Sequence, residues 1–126
     1  MAVPKILYVV PLLALGALAP SAFAAPPAAP PGTIGMSHEK FDQETVRIHV
    51  GDRLRFNNNS GWLHVIGPGD EGRFALEKGA PSLGARGAFL SESGNEFVTA
   101  PWTTPGTFHI TCSLHPEMNI TVVVST

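Results

Sequence analysis

Apolar and polar residues alternate along much of the chain beyond residue 40. In "ETVRIHV" the apolar Val46, Ile48 and Val50 are separated from one another by Arg47 and His49. A period of two is the mark of a strand with one buried face. Gly51-Asp52 then reads as a turn, and "RLRF" resumes the alternation with Leu54 and Phe56 inward. "WLHVI" is a third β-favouring run, bracketed by the turn-rich residues 57–61 and by "GPG". Near the C-terminus, "TFHITC" places Phe108, Ile110 and Cys112 on one face and His109 and Thr111 on the other. "NITVVVS" sets Ile120, Val122 and Val124 against Thr121, Val123 and Ser125. No segment holds a helical period over three turns, and only residues 74–79 show a weak one.

Short strands punctuated by glycine, proline and asparagine predict an all-β sandwich or small barrel. Residues 67–92 break the pattern. They are rich in glycine, carry scattered charges and are long for a connection in so small a domain, so no regular structure is expected there.

The first 24 residues change the picture of the compartment. Lys5 precedes an apolar run interrupted by Pro11, and small residues at Ala22 and Ala24 form a secretory cleavage pattern. The run is shorter than the roughly 20 apolar residues of a spanning helix. Residues 1–24 are therefore expected to be a signal peptide removed after Ala24, with the mature chain in the periplasm or another exported compartment. Residues 25–33 begin "APPAAPPG" and read as an extended Pro/Ala-rich linker. Residues 34–126 form the expected single domain; cleavage takes the 126 residues to 126 − 24 = 102, too few for two domains. Losing Lys5 moves the formal charge from −2 to −3. That balance argues against nucleic acid or an anionic membrane as partner.

The chain has one cysteine, so an internal disulfide is impossible. Cys112 is then either a small buried hydrophobe or a ligand. Its strand phase points the sulfur into the domain, and Pro116 in "CSLHPEM" forces a turn that folds His115 and Met118 back toward it. A fourth donor has to come from elsewhere, and His64 in "WLHVI" is the candidate. Alone, His64 would read as a structural histidine; beside the C-terminal cluster it reads as a ligand.

The donor set selects the metal. Structural zinc favours cysteine and histidine without methionine, and calcium and magnesium need oxygen. Two imidazoles, a thiolate and a weak axial thioether suit a copper ion that alternates between Cu(I) and Cu(II).

"CSLHPEM", with "NNNSGWLHVIGPG" upstream and "VGDRLRFNNNS" leading into it, resembles the cupredoxins, the type 1 blue copper proteins, of the plastocyanin and amicyanin type. The C-x-x-H-x-x-M spacing is most similar to amicyanin. The resemblance spans residues 34–126. It implies a Greek-key β-sandwich (cupredoxin-like) with one copper bound by His64, Cys112, His115 and Met118. It also implies that redox partner proteins dock near His115, with Leu63, Leu114 and Pro116 contributing to an apolar patch. Two departures stand out. Many cupredoxins carry asparagine directly after the first histidine, where it ties the ligand loops together, and here that residue is Val65. The 67–92 stretch is also longer than a minimal domain of this kind needs.

Other residues invite weaker readings. His49 and His109 fall on outward strand phases and read as solvated surface rather than a second metal site. Met36 and His38 form a lone M-x-H pair of the kind found in copper-carrier tracts. Glu117 reads as an outward charge. Cys112 and His115 lack an orienting third residue and an accessible thiolate, which argues against nucleophilic catalysis. The expectation is an exported, monomeric one-electron carrier that is not an enzyme and whose mature domain does not insert into membranes. A periplasmic copper carrier or storage protein, and a cupredoxin-based small-molecule-binding copper site, remain open at this point.

Overall fold

Apart from residues 2–4 and 16, the computed structural model describes residues 32–126. The signal peptide expected over 1–24 and the linker over 25–33 therefore fall almost wholly outside the described residues.

Nine strands make up the described part: β1 Thr33–Met36, β2 Thr45–His49, β3 Arg55–Asn58, β4 His64–Asp70, β5 Arg73–Phe74, β6 Phe89–Ser91, β7 Glu96–Val98, β8 Gly106–Cys112 and β9 Asn119–Ser125. Among the described residues there is no helix, so the weak period over 74–79 comes to nothing. Three strands form one sheet in the order β1-β3-β7. The larger sheet runs β2-β9-β8-β4-β5, with β6 also paired to β4. The pairs β1–β3 and β2–β9 are parallel, and the rest are antiparallel.

Alternation decides which side chains fill the space between the sheets. Ile34 and Phe56 from the small sheet join Ile48, Ile66, Ile110, Val122 and Val124 from the large one in a single buried cluster. Phe89 bridges the layers, with its ring 5.3 Å from Phe56 and stacked at 4.0 Å on Phe97. Burying such side chains supplies about 1.5–3 kcal/mol each before entropy is counted, and a core shared by two sheets keeps their ends in fixed relation.

Local expectations fail in three places. Val50 is exposed, because β2 ends at His49 and the turn begins one residue early. Thr111 is buried although its phase is outward, since its hydroxyl accepts from Gly72 N at 2.8 Å and donates to the Met118 carbonyl at 3.2 Å. "GPG" is not a turn: β4 continues through it, and β5 and β6 also lie within the 67–92 stretch. The chain reverses at Glu71-Gly72, where φ is 50° and 77°. Positive φ at both central residues is what a tight hairpin turn matched to strand twist demands. The remaining stretch is pinned down as well. Leu83 enters the core, and Glu77 pairs with His109 of β8 at 3.1 Å.

Candidate metal centre

Cys112 ends β8 opposite Ile66 of β4, and β4 begins two residues earlier at His64. This antiparallel register brings an upstream histidine and the lone cysteine to the same end of the sandwich. Both are fully buried, with 0% exposure. The loop after Cys112 supplies the rest. His115, Pro116, Glu117 and Met118 form a turn closed by Met118 N donating to His115 O at 2.9 Å, with proline at the position where its fixed φ favours such turns.

Several bonds hold that loop. Cys112 N donates to the Met118 carbonyl at 3.1 Å, and Ser113 N donates to the Val65 carbonyl at 3.0 Å. Asn119 Nδ2 reaches the Pro116 carbonyl at 2.9 Å. From outside, the β4–β5 hairpin presses against the loop: Glu71 N donates to Asn119 Oδ1 at 2.9 Å, and Gly72 sits against Pro116.

The result is a convergence of donors. Cys112 Sγ lies 3.6 Å from Nδ1 of His115 and 3.8 Å from Nδ1 of His64. One ligand atom from each of the three residues lies within 4.8 Å of the others. Met118, the fourth residue singled out in the sequence, is also fully buried and is tied through its main chain to Cys112 and His115. Among the described residues this is the one cluster of three or more such side chains able to grip a metal ion.

Electrostatics favour a neutral imidazole at His64. Burial lowers its pKa below the ordinary 6.5, the neighbouring His115 and His38 lower it further, and a hydrogen bond to the Ser37 backbone partly opposes them. A neutral imidazole is the form that binds metal.

Four residues beside the cluster were not assigned to the site from the sequence. His38 stacks on Trp62 with ring centroids 3.7 Å apart and meets His115 edge-on at 5.0 Å. Its partner in the M-x-H pair, Met36, is buried in the core, so the two do not form a surface tract. Asn58 and Ser60 lie behind His64, and Ser60 Oγ is 3.1 Å from His64 Nε2. Their signal was the polar run "NNNS" before His64, legible as a turn but silent about its bonds. Trp62, Leu63 and Leu114 are exposed. His49 and His109 join no cluster; they pair with Asp52 and Glu77.

No family model matches the chain, and no curated relative does. Solved structures do match. A reduced Cu(I) form of an amicyanin mutant at pH 4 aligns with a TM-score of 0.57 and 21% identity, covering 78% of this chain and 85% of that one. An oxidised amicyanin mutant gives 0.57 at 20% identity over the same shares. A reduced one gives 0.56 at 20%, covering 79% and 87%. The chain has the cupredoxin fold. The all-β class expected from the alternation and the cupredoxin-like sandwich implied by the resemblance are both found. Within this cupredoxin fold, the tie between ligand segments expected of an asparagine at position 65 is made by main chain alone, from Ser113 to Val65.

Proposed function

We propose that the protein is an exported one-electron carrier that holds a single copper ion through His64, Cys112, His115 and Met118. The observation that supports this most is the approach of two imidazole Nδ1 atoms to one buried thiol, at 3.6 and 3.8 Å. Copper bound there would supply a one-electron couple. The chain's own part is to offer a compromise donor set. The thiol and thioether suit Cu(I), the imidazoles suit Cu(II), and a bonded loop on a shared core keeps them in one arrangement. Full burial of Cys112 and Met118 keeps water and substrates from the sulfur atoms, which favours a carrier over an enzyme.

His115 is half-buried while His64 is fully buried, so His115 is the ligand that faces outward. Redox partner proteins would dock over it, on the exposed Trp62, Leu63 and Leu114. Burial of Met36 removes the surface M-x-H tract that would assist a copper-delivery role using the same four ligands.

The deciding experiment is the visible absorption spectrum of the mature domain after one equivalent of Cu(II). An intense thiolate-to-copper band is expected. Its absence from folded protein with a reduced thiol would sink the proposal. Export is tested separately by N-terminal sequencing of the secreted protein, which should begin at Ala25.

A further inference from the structure

We propose that Ser60 is a positioning residue for the metal centre: anchored by Asn58, it holds the His64 proton on Nε2 and leaves Nδ1 free to bind. The inference rests on reading His64 as a metal ligand.

The assignment follows from counting protons. Asn58 is buried at 1% exposure, and its amide orientation is set by its surroundings. Nδ2 donates to the Trp62 carbonyl at 2.8 Å and to the Ser91 carbonyl at 2.9 Å. Its Oδ1 must therefore be the acceptor on the other side, where Ser60 N donates to it at 3.0 Å. Turning the amide over would set oxygen against two carbonyls and NH2 against an N–H, so only one orientation satisfies every group.

Ser60 Oγ lies 2.6 Å from that fixed oxygen. A hydroxyl has one proton, and a contact this short needs it. The Trp62 carbonyl, at 3.4 Å from the same hydroxyl, is too distant to compete. With its proton spent, Ser60 Oγ can only accept. It accepts from Trp62 N at 3.2 Å and, across 3.1 Å, from His64 Nε2. His64 must then carry hydrogen on Nε2, and its Nδ1 lone pair faces Cys112 Sγ at 3.8 Å. The opposite tautomer would need Ser60 to donate to Nε2, leaving two oxygens at 2.6 Å with no proton between them.

Asn58 and Ser60 thus provide an orienting bond to His64 from a segment upstream of it, alongside the hydrogen bond that the Ser37 backbone makes to the same imidazole. Removing such a partner of a ligating histidine costs typically about 10–100-fold in metal affinity.

The test uses metal-free protein and 15N NMR of the imidazole nitrogens, which reads the tautomer without any metal. Wild type should show His64 protonated on Nε2. Ser60→Ala should lower the Nε2-protonated share, with the Ser37 backbone bond as the remaining partner, and Ser60→Thr, which keeps the hydroxyl, should restore the wild-type pattern. Cu(II) titration should then show about 10–100-fold weaker binding for Ser60→Ala and near-normal binding for Ser60→Thr. A proton on Nδ1 in the wild type would overturn the proposal, as would a Ser60→Ala protein with unchanged tautomer and affinity. If the wild type gives no thiolate-to-copper band while the Nε2 proton still depends on Ser60, the copper reading fails and the tautomer lock stands.

Discussion

Ser113 donates its main-chain N–H to the carbonyl of Val65 at 3.0 Å, joining the residue after the cysteine to the residue after the first histidine. Two segments nearly fifty residues apart in sequence are thereby tied at the metal centre without a side chain. A main-chain tie is indifferent to what residue 65 is. Val65→Ala should therefore keep the thiolate-to-copper band and metal affinity close to wild type. Ser113→Pro deletes the donor and strands the Val65 carbonyl, at a cost of about 1–3 kcal/mol. Denaturant midpoints and Cu(II) titration of both variants check the pair; equal effects from the two would refute a main-chain tie.

Substitution of the two sulfur residues proposed as ligands separates their roles. Cys112→Ser should abolish the intense band, since no thiolate remains to transfer charge. Met118→Leu should keep it and raise the reduction potential, because a weak donor to Cu(II) is lost. Each tenfold loss of Cu(II) affinity relative to Cu(I) is about 59 mV for one electron. Voltammetry and absorption read both variants, and a lowered potential in Met118→Leu would contradict the axial assignment.

Gly72 links the β4–β5 hairpin to the ligand loop. Its φ is 77°, and an added Cβ would lie 3.1 Å from Pro116. Gly72→Ala should cost about 1–2 kcal/mol from the left-handed backbone alone. It should also disturb Pro116 and with it His115, so Cu(II) binding should weaken alongside stability. Gly94, at a φ of 82° with nothing near its Cβ position, is the control. Gly94→Ala should lose stability and leave binding unchanged.

The His64 imidazole sets a pH dependence for the metal-free protein. Its folded-state pKa lies below 6.5, through burial first and then the nearby His115 and His38. Between the folded value and 6.5 the unfolded chain binds more protons, so stability rises with pH across that window. The His64 contribution is complete above 6.5 and is lost as pH falls through the folded-state value. Urea midpoints taken downward from about pH 8 should show this decline. His64→Gln should flatten it, and a midpoint that climbs as the pH drops below 6.5 would show the sign to be wrong.

Core packing carries the site's rigidity. Phe56 is fully buried against Phe41 and Phe89, between the two sheets. Phe56→Ala should destabilise the fold by about 3–5 kcal/mol, measurable as a lowered denaturant midpoint.

The alternation in residues 45–56 and 107–125 announced the strands and most of their inward faces, Val50 and Thr111 excepted, because a period of two is a local property that survives in one dimension. "CSLHPEM" likewise carried its own turn, since Pro116 constrains the backbone beside it. What the sequence left open depended on partners far along the chain. Thr111 is buried because Gly72 and Met118 satisfy its hydroxyl. The 67–92 stretch is about one-third strand because Glu71 and Gly72 turn β4 back on itself, and Glu77 finds His109. His38 stands beside His115 only once β1 has paired in parallel with β3, a register that no local pattern announces. Asn58 reads as a turn residue until the fold brings the Ser91 carbonyl to its amide. Hydrophobic period is written into neighbouring residues; hydrogen-bond partnership across some thirty residues or more exists only after the chain has folded.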